Sequence, residues 1–204
     1  MEFRPQYIVV KKNSTTIYSG WKRKENTILT KFEKISFEQY FKDMNDTFYS
    51  ENYVDLSGEE GHGIKTEYED IKLPKRATKN SAGYDFFAPF GFELKVGQSI
   101  KIPTGIKCCM DESLFLGIVP RSSLGFKYTM RLANTLAVVD GDYYNNENNE
   151  GHIFIKIVNE NRENKTLKVK KGEAFAQGIF FPYFLTDDDN VTEIRTGGIG
   201  STNK

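Results

Sequence analysis

From about Glu67 onward the chain is written in short apolar runs, each cut off within a few residues by Gly, Pro or Asn. The runs 98–102 (QSIKI), 152–158 (HIFIKIV) and 166–170 (TLKVK) alternate apolar and polar side chains, whereas 114–119 (LFLGIV) and 178–184 (GIFFPYF) are nearly continuous. A period of two sends successive side chains to opposite faces of a strand, and no stretch here keeps the 3.6-residue period of a helix. Many short strands punctuated by turn residues predict an all-β sandwich or barrel. Gly97 and Gly172 each follow a lysine-bearing strand end, where tight turns belong.

The first sixty residues read differently. Residues 7–10 (YIVV) and 15–18 (TTIY) predict a hairpin around Asn13 and Ser14, with a third strand at 26–30. Ser36 is placed to cap an amphipathic helix that carries Phe37, Tyr40, Phe41, Met44 and Phe48 on one face. Residues 57–63 (SGEEGHG) predict a flexible joint. The expected organisation is therefore a β-β-β-α extension over 1–60, a β barrel over 66–194 and a glycine-rich tail over 195–204. The extension shows no chemistry. Its aromatic stripe predicts packing, with a protein partner as the alternative, and its deletion is expected to spare catalysis. The Asn-rich tract 143–151 (YYNNENNEG) is short enough for a hairpin loop.

A length of 204 residues supports one good core with a small appendage. Lys+Arg and Asp+Glu both total 28, so the basic excess of a nucleic-acid binder is missing, while a few local arginines still suffice for a small anion. Cys108 and Cys109 are neighbours that a strand would point to opposite faces, so no bridge between them is expected. That predicts a reduced, cytoplasmic protein. The polar opening residues predict no secretory leader, and no run approaches transmembrane length. His62 and His152 stand far apart and no Cys-x-x-Cys pair occurs, which argues against a dedicated metal cluster.

Two segments carry the chemistry. In 118–125 (IVPRSSLG) an apolar run ends abruptly in Arg121, Ser122, Ser123 and Gly125. In 134–143 (NTLAVVDGDY) a second apolar run is entered through Asn134 and left through Asp140 and Tyr143. Arginine offers planar paired donors for phosphate, and a serine hydroxyl can stabilise charge building on a phosphoryl group. Asp140, at a strand end, can orient and deprotonate a water for attack on phosphorus. A turn-forming Asp-Gly is its alternative, and the flanking Asn134 and Tyr143 weigh against that.

With those segments in place the chain resembles the trimeric-type deoxyuridine triphosphatases (dUTPases). Five short motifs stand in that family's order: 77–86 (ATKNSAGYDF), 120–125 (PRSSLG), 134–143, 172–177 (GEAFAQ) and 195–202 (RTGGIGST). The resemblance implies a jelly-roll-like β barrel and a homotrimer with each active site built from several subunits. It implies hydrolysis of dUTP to dUMP and pyrophosphate, by water attack on the α-phosphate with Asp140 as base.

Further roles follow from the same resemblance. Arg121, Ser122, Ser123, Gly125 and Gln177 would bind phosphate. Asn134, with the backbone around Val138 and Val139, would read the uracil edge, and Tyr143 would lie against the deoxyribose, where a 2′-hydroxyl clashes. Arg195 would reach the γ-phosphate while Gly198, Ile199, Gly200, Ser201 and Thr202 wrap the nucleotide. Mg²⁺ would be held mainly by triphosphate oxygens, with Asp85 reaching it through water. Asp85 is also a candidate ion-pair partner for Arg121.

The tail departs from the family in three ways: Ile199 stands where an aromatic usually stacks on the base, Asn203 replaces a frequent glycine, and the spacing from Arg195 to the glycine pair is one residue short. Closure weaker than usual is expected, relieved by Ile199→Phe. Two rival readings are a regulatory nucleotide-sensing interaction protein and a dCTP deaminase relative. The deaminase would need a Glu for amine chemistry, and the nearest, Glu147, lies in the Asn-rich tract.

Overall fold

The computed structural model describes residues 30–48, 59–193, 195 and 197, and the expected hairpin at 7–18 lies outside them, as do 26–29 of the expected third strand. Strand β1 (Lys31–Lys34) leads into helix α1 (Phe37–Phe48) and, after residues 49–58, helix α2 (Glu59–Glu69). Then come β2 (Lys75–Arg76), β3 (Tyr84–Phe87), β4 (Phe92–Leu94), β5 (Ser99–Pro103), β6 (Ile106–Cys109) and β7 (Leu114–Pro120). A short helix α3 (Ser122–Tyr128) precedes β8 (Met130–Leu132), β9 (Ala137–Val139), β10 (Phe154–Asn159), β11 (Leu167–Val169) and β12 (Ala174–Pro182).

Pairing among the described strands is antiparallel throughout. The largest sheet runs β2-β3-β12-β7-β9, a second runs β5-β10-β8, and β1-β6 and β11-β4 form two ribbons. Strands linked by turns are mostly not the strands that pair, the connectivity of a jelly-roll-like fold. β10 alternates as its sequence predicts: Ile155 and Ile157 are buried while Lys156 is exposed. They pack with Ile102, Leu116, Ile118, Leu132, Phe86 and Phe175. Asn159 enters the same core and is satisfied, its amide donating to the carbonyls of Leu94 and Lys165 at 2.8 and 2.9 Å. Gly97 and Gly172 take positive φ at their turns.

Three local expectations need correction. The region 57–63 is no joint over its described part, because α2 spans Glu59–Glu69. Its two glycines lower helix propensity, and the outcome is decided instead by tertiary contacts: Ile64 is buried, and the Tyr68 hydroxyl donates to the Ile35 carbonyl at 2.7 Å. Helix α3 was hidden because it is two turns long and buries only Leu124, too little for a period to register. The tract 143–151 is no β9–β10 hairpin loop: β9 pairs with β7 and β10 with β5 and β8, so the tract crosses between sheets.

Helix α1 matches its prediction in its start and its face. The Ser36 hydroxyl accepts the Gln39 N–H at 3.1 Å, and Tyr40, Phe41 and Met44 are buried, with Phe48 at the rim. These side chains share the core of the barrel strands, and β1 pairs with β6, so the sequence division at residue 60 cuts through one core. Tyr40 is fully buried and its hydroxyl has no hydrogen-bond partner among the described residues. Tyr40→Phe removes that unsatisfied group at nearly constant volume and is expected to stabilise the protein by about 1 kcal/mol, read as a rise in denaturation midpoint.

Candidate active site

One group of predicted residues gathers at the ends of three adjacent strands. In β12, Gln177 lies opposite Asp85 of β3 on one side and Val119 of β7 on the other. A bulge between Ala174 and Ala176 sits just ahead of it, a local irregularity that re-aims side chains at a strand end. Gly83 makes room for Gln177, since a Cβ there would stand 2.4 Å from the Gln177 Oε1. Arg121 occupies the N-cap position of α3; its guanidinium, a donor with no acceptor to cap the helix, faces Asp85, Nε to Oδ1 3.8 Å. The expected Asp85–Arg121 pair is therefore present. Ser122 and Ser123 open α3 and are exposed, and the Gln177 amide lies 3.5 Å from the Pro120 carbonyl. Arginine, hydroxyls and amide are donors of the kind that can bind an anion, with one acid beside them.

A second group forms where β9 ends. Asp140 leaves the strand in extended backbone, and Gly141–Tyr143 follow as a single 3-10 turn. Arg195 folds onto this turn, its Nε donating to Asp142 at 2.9 Å and its terminal NH₂ to Asp140 at 2.5 Å. Its guanidinium also stands 5.8 Å from the centre of the Tyr143 ring. In this arrangement the tail arginine holds the carboxylate expected to act as base. Asn134 lies at the other end of the same short segment, exposed in the turn before β9, next to Thr135 at φ 65°. β9 is an edge strand of its sheet, with Val138 more than half exposed and Val139 half-buried. An open edge offers backbone donors and acceptors of the kind a nucleobase can pair with.

The two groups do not meet within one chain. Val139 is registered against Leu116, whereas Arg121 follows Pro120, the last residue of β7, five residues beyond Leu116 and roughly 17 Å along at strand rise. That register sets Asp140 and Arg121 of one chain at opposite ends of β7. Clefts of about 550 and 500 Å³ exist elsewhere, one around Met110, Glu112 and Tyr183 and one between the helices and Phe90–Phe92. Neither is lined by the predicted site residues. Gly198, Ile199, Gly200, Ser201, Thr202 and Asn203 lie outside the described residues.

Tyr143 is fixed by residues that the sequence reading did not single out. Its hydroxyl donates to the His152 carbonyl at 2.9 Å and accepts from the Asn149 amide at 2.8 Å. Asn146, buried, donates to the Tyr143 carbonyl at 2.9 Å and to Asn149 at 2.8 Å. Gly151, at φ 79°, lets the returning backbone pass so close that a Cβ would lie 2.5 Å from the Tyr143 oxygen. The Asn-rich composition was the available signal for this built loop. Burial raises the phenol pKa of Tyr143 above its usual 10.0, partly offset by the Asn149 bond, so the group stays a neutral donor.

His152 is fully buried, its Nε2 accepting the Gly105 N–H at 2.8 Å and its Nδ1 lying 2.6 Å from Asp43 of α1. An N–H aimed at Nε2 requires a lone pair there, so the proton sits on Nδ1 and the ring is neutral. Burial pushes its pKa below the ordinary 6.5, with Asp43 acting in the other direction. A depressed folded-state value means that the unfolded chain takes up the proton first as pH falls. The His152 contribution to stability is thus complete above pH 6.5 and shrinks as pH drops from there toward the folded value. Unfolding midpoints measured from pH 7.5 to 5.5 should fall for the wild type and vary less for His152→Gln.

Asp85 is the carboxylate nearest the candidate anion-binding set, and no group of three or more His, Cys, Asp and Glu side chains able to hold a metal stands together among the described residues. One carboxylate beside an arginine fits an ion that arrives bound to phosphates and is reached through water.

Residues 69–203 match the family model for dUTPase. The chain is 40% identical over 146 residues to deoxyuridine 5′-triphosphate nucleotidohydrolase of Lactococcus lactis, covering 70% of this chain and 96% of that protein. It is 35% identical over 139 residues to the enzyme of the same name from Desulfitobacterium hafniense, covering 64% of this chain and 87% of the relative. Among solved structures, the dUTPase from Streptococcus mutans is 34% identical with a TM-score of 0.54, and the likeness covers 77% of this chain and 98% of that one. With the family model spanning all five motifs, the chain belongs to the dUTPase family.

Proposed function

We propose that this chain is a dUTP diphosphatase, hydrolysing dUTP to dUMP and pyrophosphate in a homotrimer whose active sites each draw on more than one subunit. The separation of Asp140 from Arg121 along the β7–β9 pairing carries this reading. Each end holds half of a nucleotide-cleaving site, and a second copy of the chain can supply the other half. Exposed apolar side chains at Val138, Phe184, Leu185 and Val191 support packing between copies. The names of the relatives support the substrate.

In the assembled site one chain presents Asn134 and the backbone of Val138 and Val139 to the uracil. A donor and an acceptor matched to uracil leave a polar group unpaired against cytosine, a strong basis for rejection. The Tyr143 ring lies along the deoxyribose of the same nucleotide. Asp140 orients a water in line with the α-phosphorus and takes its proton as the P–O bond forms, while the bond to the bridging oxygen breaks and pyrophosphate leaves. A neighbouring chain contributes Arg121, Ser122, Ser123, Gly125 and Gln177, which bind the phosphates and stabilise the charge that gathers on them. Mg²⁺, bound mainly by triphosphate oxygens and reached by Asp85 through water, neutralises phosphate charge when present.

Arg195 has a stronger partner in a triphosphate than in two partly exposed carboxylates. Substrate would draw it to the γ-phosphate, with 198–202 following over the nucleotide, and release Asp140 for catalysis. No helix among the described residues is long and apolar enough to cross a membrane. The free thiols of Cys108 and Cys109 support a reducing compartment such as the cytoplasm. The test is pyrophosphate release from dUTP, dCTP, dTTP and UTP with Mg²⁺. Release confined to dUTP is expected; equal release from all four, or from none, would overturn the substrate assignment.

A further inference from the structure

The N-terminal helix α1 stands ahead of the stretch matched by the family model, yet it places an acid inside the barrel core. Asp43 is 7% exposed on a face otherwise made of Tyr40, Phe41 and Met44. A buried carboxyl on an aromatic face is a poor way to add stability, since an apolar residue of similar size would avoid the desolvation cost. What the acid does is fix one ring. It accepts the His152 Nδ1–H at 2.6 Å, while Gly105 holds the opposite ring nitrogen at 2.8 Å. The backbone carbonyl of that same His152 accepts the Tyr143 hydroxyl at 2.9 Å. The helix grips the loop at a second point as well, because the backbone N–H of Ser36, its N-cap, donates to Glu150 at 2.9 Å.

We infer that Asp43 and His152 are positioning residues for the Tyr143 ring, and that through it the N-terminal helix sets how strictly the site excludes ribonucleotides. This inference rests on the dUTP reading given above, in which the ring lies against the deoxyribose. Rejecting a single added hydroxyl by steric contact requires a wall that does not yield, and displacement of a positioned group by about 1 Å is enough to change selection. Satisfied buried hydrogen bonds at both the hydroxyl and the histidine supply that rigidity, in the way outer partners orient the ligands of a metal site.

The test compares kcat/KM for dUTP with that for UTP in wild type, Asp43→Ala, Asp43→Asn, Tyr143→Phe and Asn149→Leu, each confirmed as folded by circular dichroism at the assay temperature. Asp43→Ala, Tyr143→Phe and Asn149→Leu are expected to lower the dUTP preference about tenfold, because the ring gains freedom. Asp43→Asn restores it, since its amide oxygen still accepts the Nδ1–H. A purely structural role would lower midpoints without moving the ratio. Should Asp43→Ala fail to fold, Tyr143→Phe and Asn149→Leu decide the matter. An unchanged ratio in those two overturns the positioning role while the dUTP reading stands. A wild type with no preference for dUTP overturns both.

Discussion

Asp140→Asn is expected to cut pyrophosphate release from dUTP by two to four orders of magnitude, the range for losing a general base. The amide keeps the shape of the carboxylate and can still accept a hydrogen bond from the attacking water, but it cannot take the proton. Its effect should therefore fall on kcat, with KM for dUTP changed little. Asp140 is about half exposed at the end of β9, so the substitution buries nothing new and the fold should be retained. The same change removes a charged partner of Arg195, leaving Asp142 as its acidic partner among the described residues. A variant that kept more than a tenth of wild-type kcat would show that Asp140 is a turn residue and tail anchor without a role in proton transfer.

The second large effect concerns the N-terminal segment. Removing residues 1–48 is expected to abolish folding, contrary to the dispensable extension that the sequence suggested. The deletion takes away β1, which covers β6, and strips Ile35, Tyr40, Phe41 and Met44 from the core. It also opens the aromatic cluster in which Phe32 packs at 5.4 to 5.7 Å from Tyr84, Phe86 and Phe180. A milder version is Tyr40→Ala, expected to cost about 3–5 kcal/mol because the ring is fully buried among residues that cannot collapse into the gap. Chemical denaturation of this variant and soluble yield of the truncation measure the effect. A truncated protein with wild-type stability would mean that the barrel closes its core without α1.

The success and failure of the sequence reading follow from range. Strand positions and the cap at Ser36 were legible because alternation and capping are local properties. The candidate phosphate-binding residues were legible because short motifs overlap the starts of β3 and β12 and the end of β7, and Asp85 and Arg121 proved to be within ion-pair reach. Helix α2 was misread because its glycines argue locally against what its packing on α1 enforces. The support of Tyr143 was invisible for a different reason. Asp43 and His152 are 109 residues apart, and each alone resembles an ordinary acid on a helix and a lone histidine on a strand. Only the folded chain shows that they share a proton-bearing contact behind the residue proposed to face the sugar. The gap between Asp140 and Arg121 was likewise hidden, since it depends on the direction and register of β7 against β9.

The central claim is that each active site is divided between chains, and mixing two inactive variants tests it most directly. Asp140→Asn and Arg121→Ala, each carrying a different affinity tag, would be unfolded together at equal amounts, refolded, and purified through both tags. In the proposed homotrimer, every assembly retained by both tags is mixed and puts an intact Asp140 beside an intact Arg121 from another subunit at one junction of the ring, about a third of the sites. Recovery of dUTP hydrolysis toward that fraction, from parents that are each nearly inactive, is the predicted result. Doubly tagged trimers as inactive as the parents would contradict it, and would mean that Asp140 and Arg121 must act from the same chain.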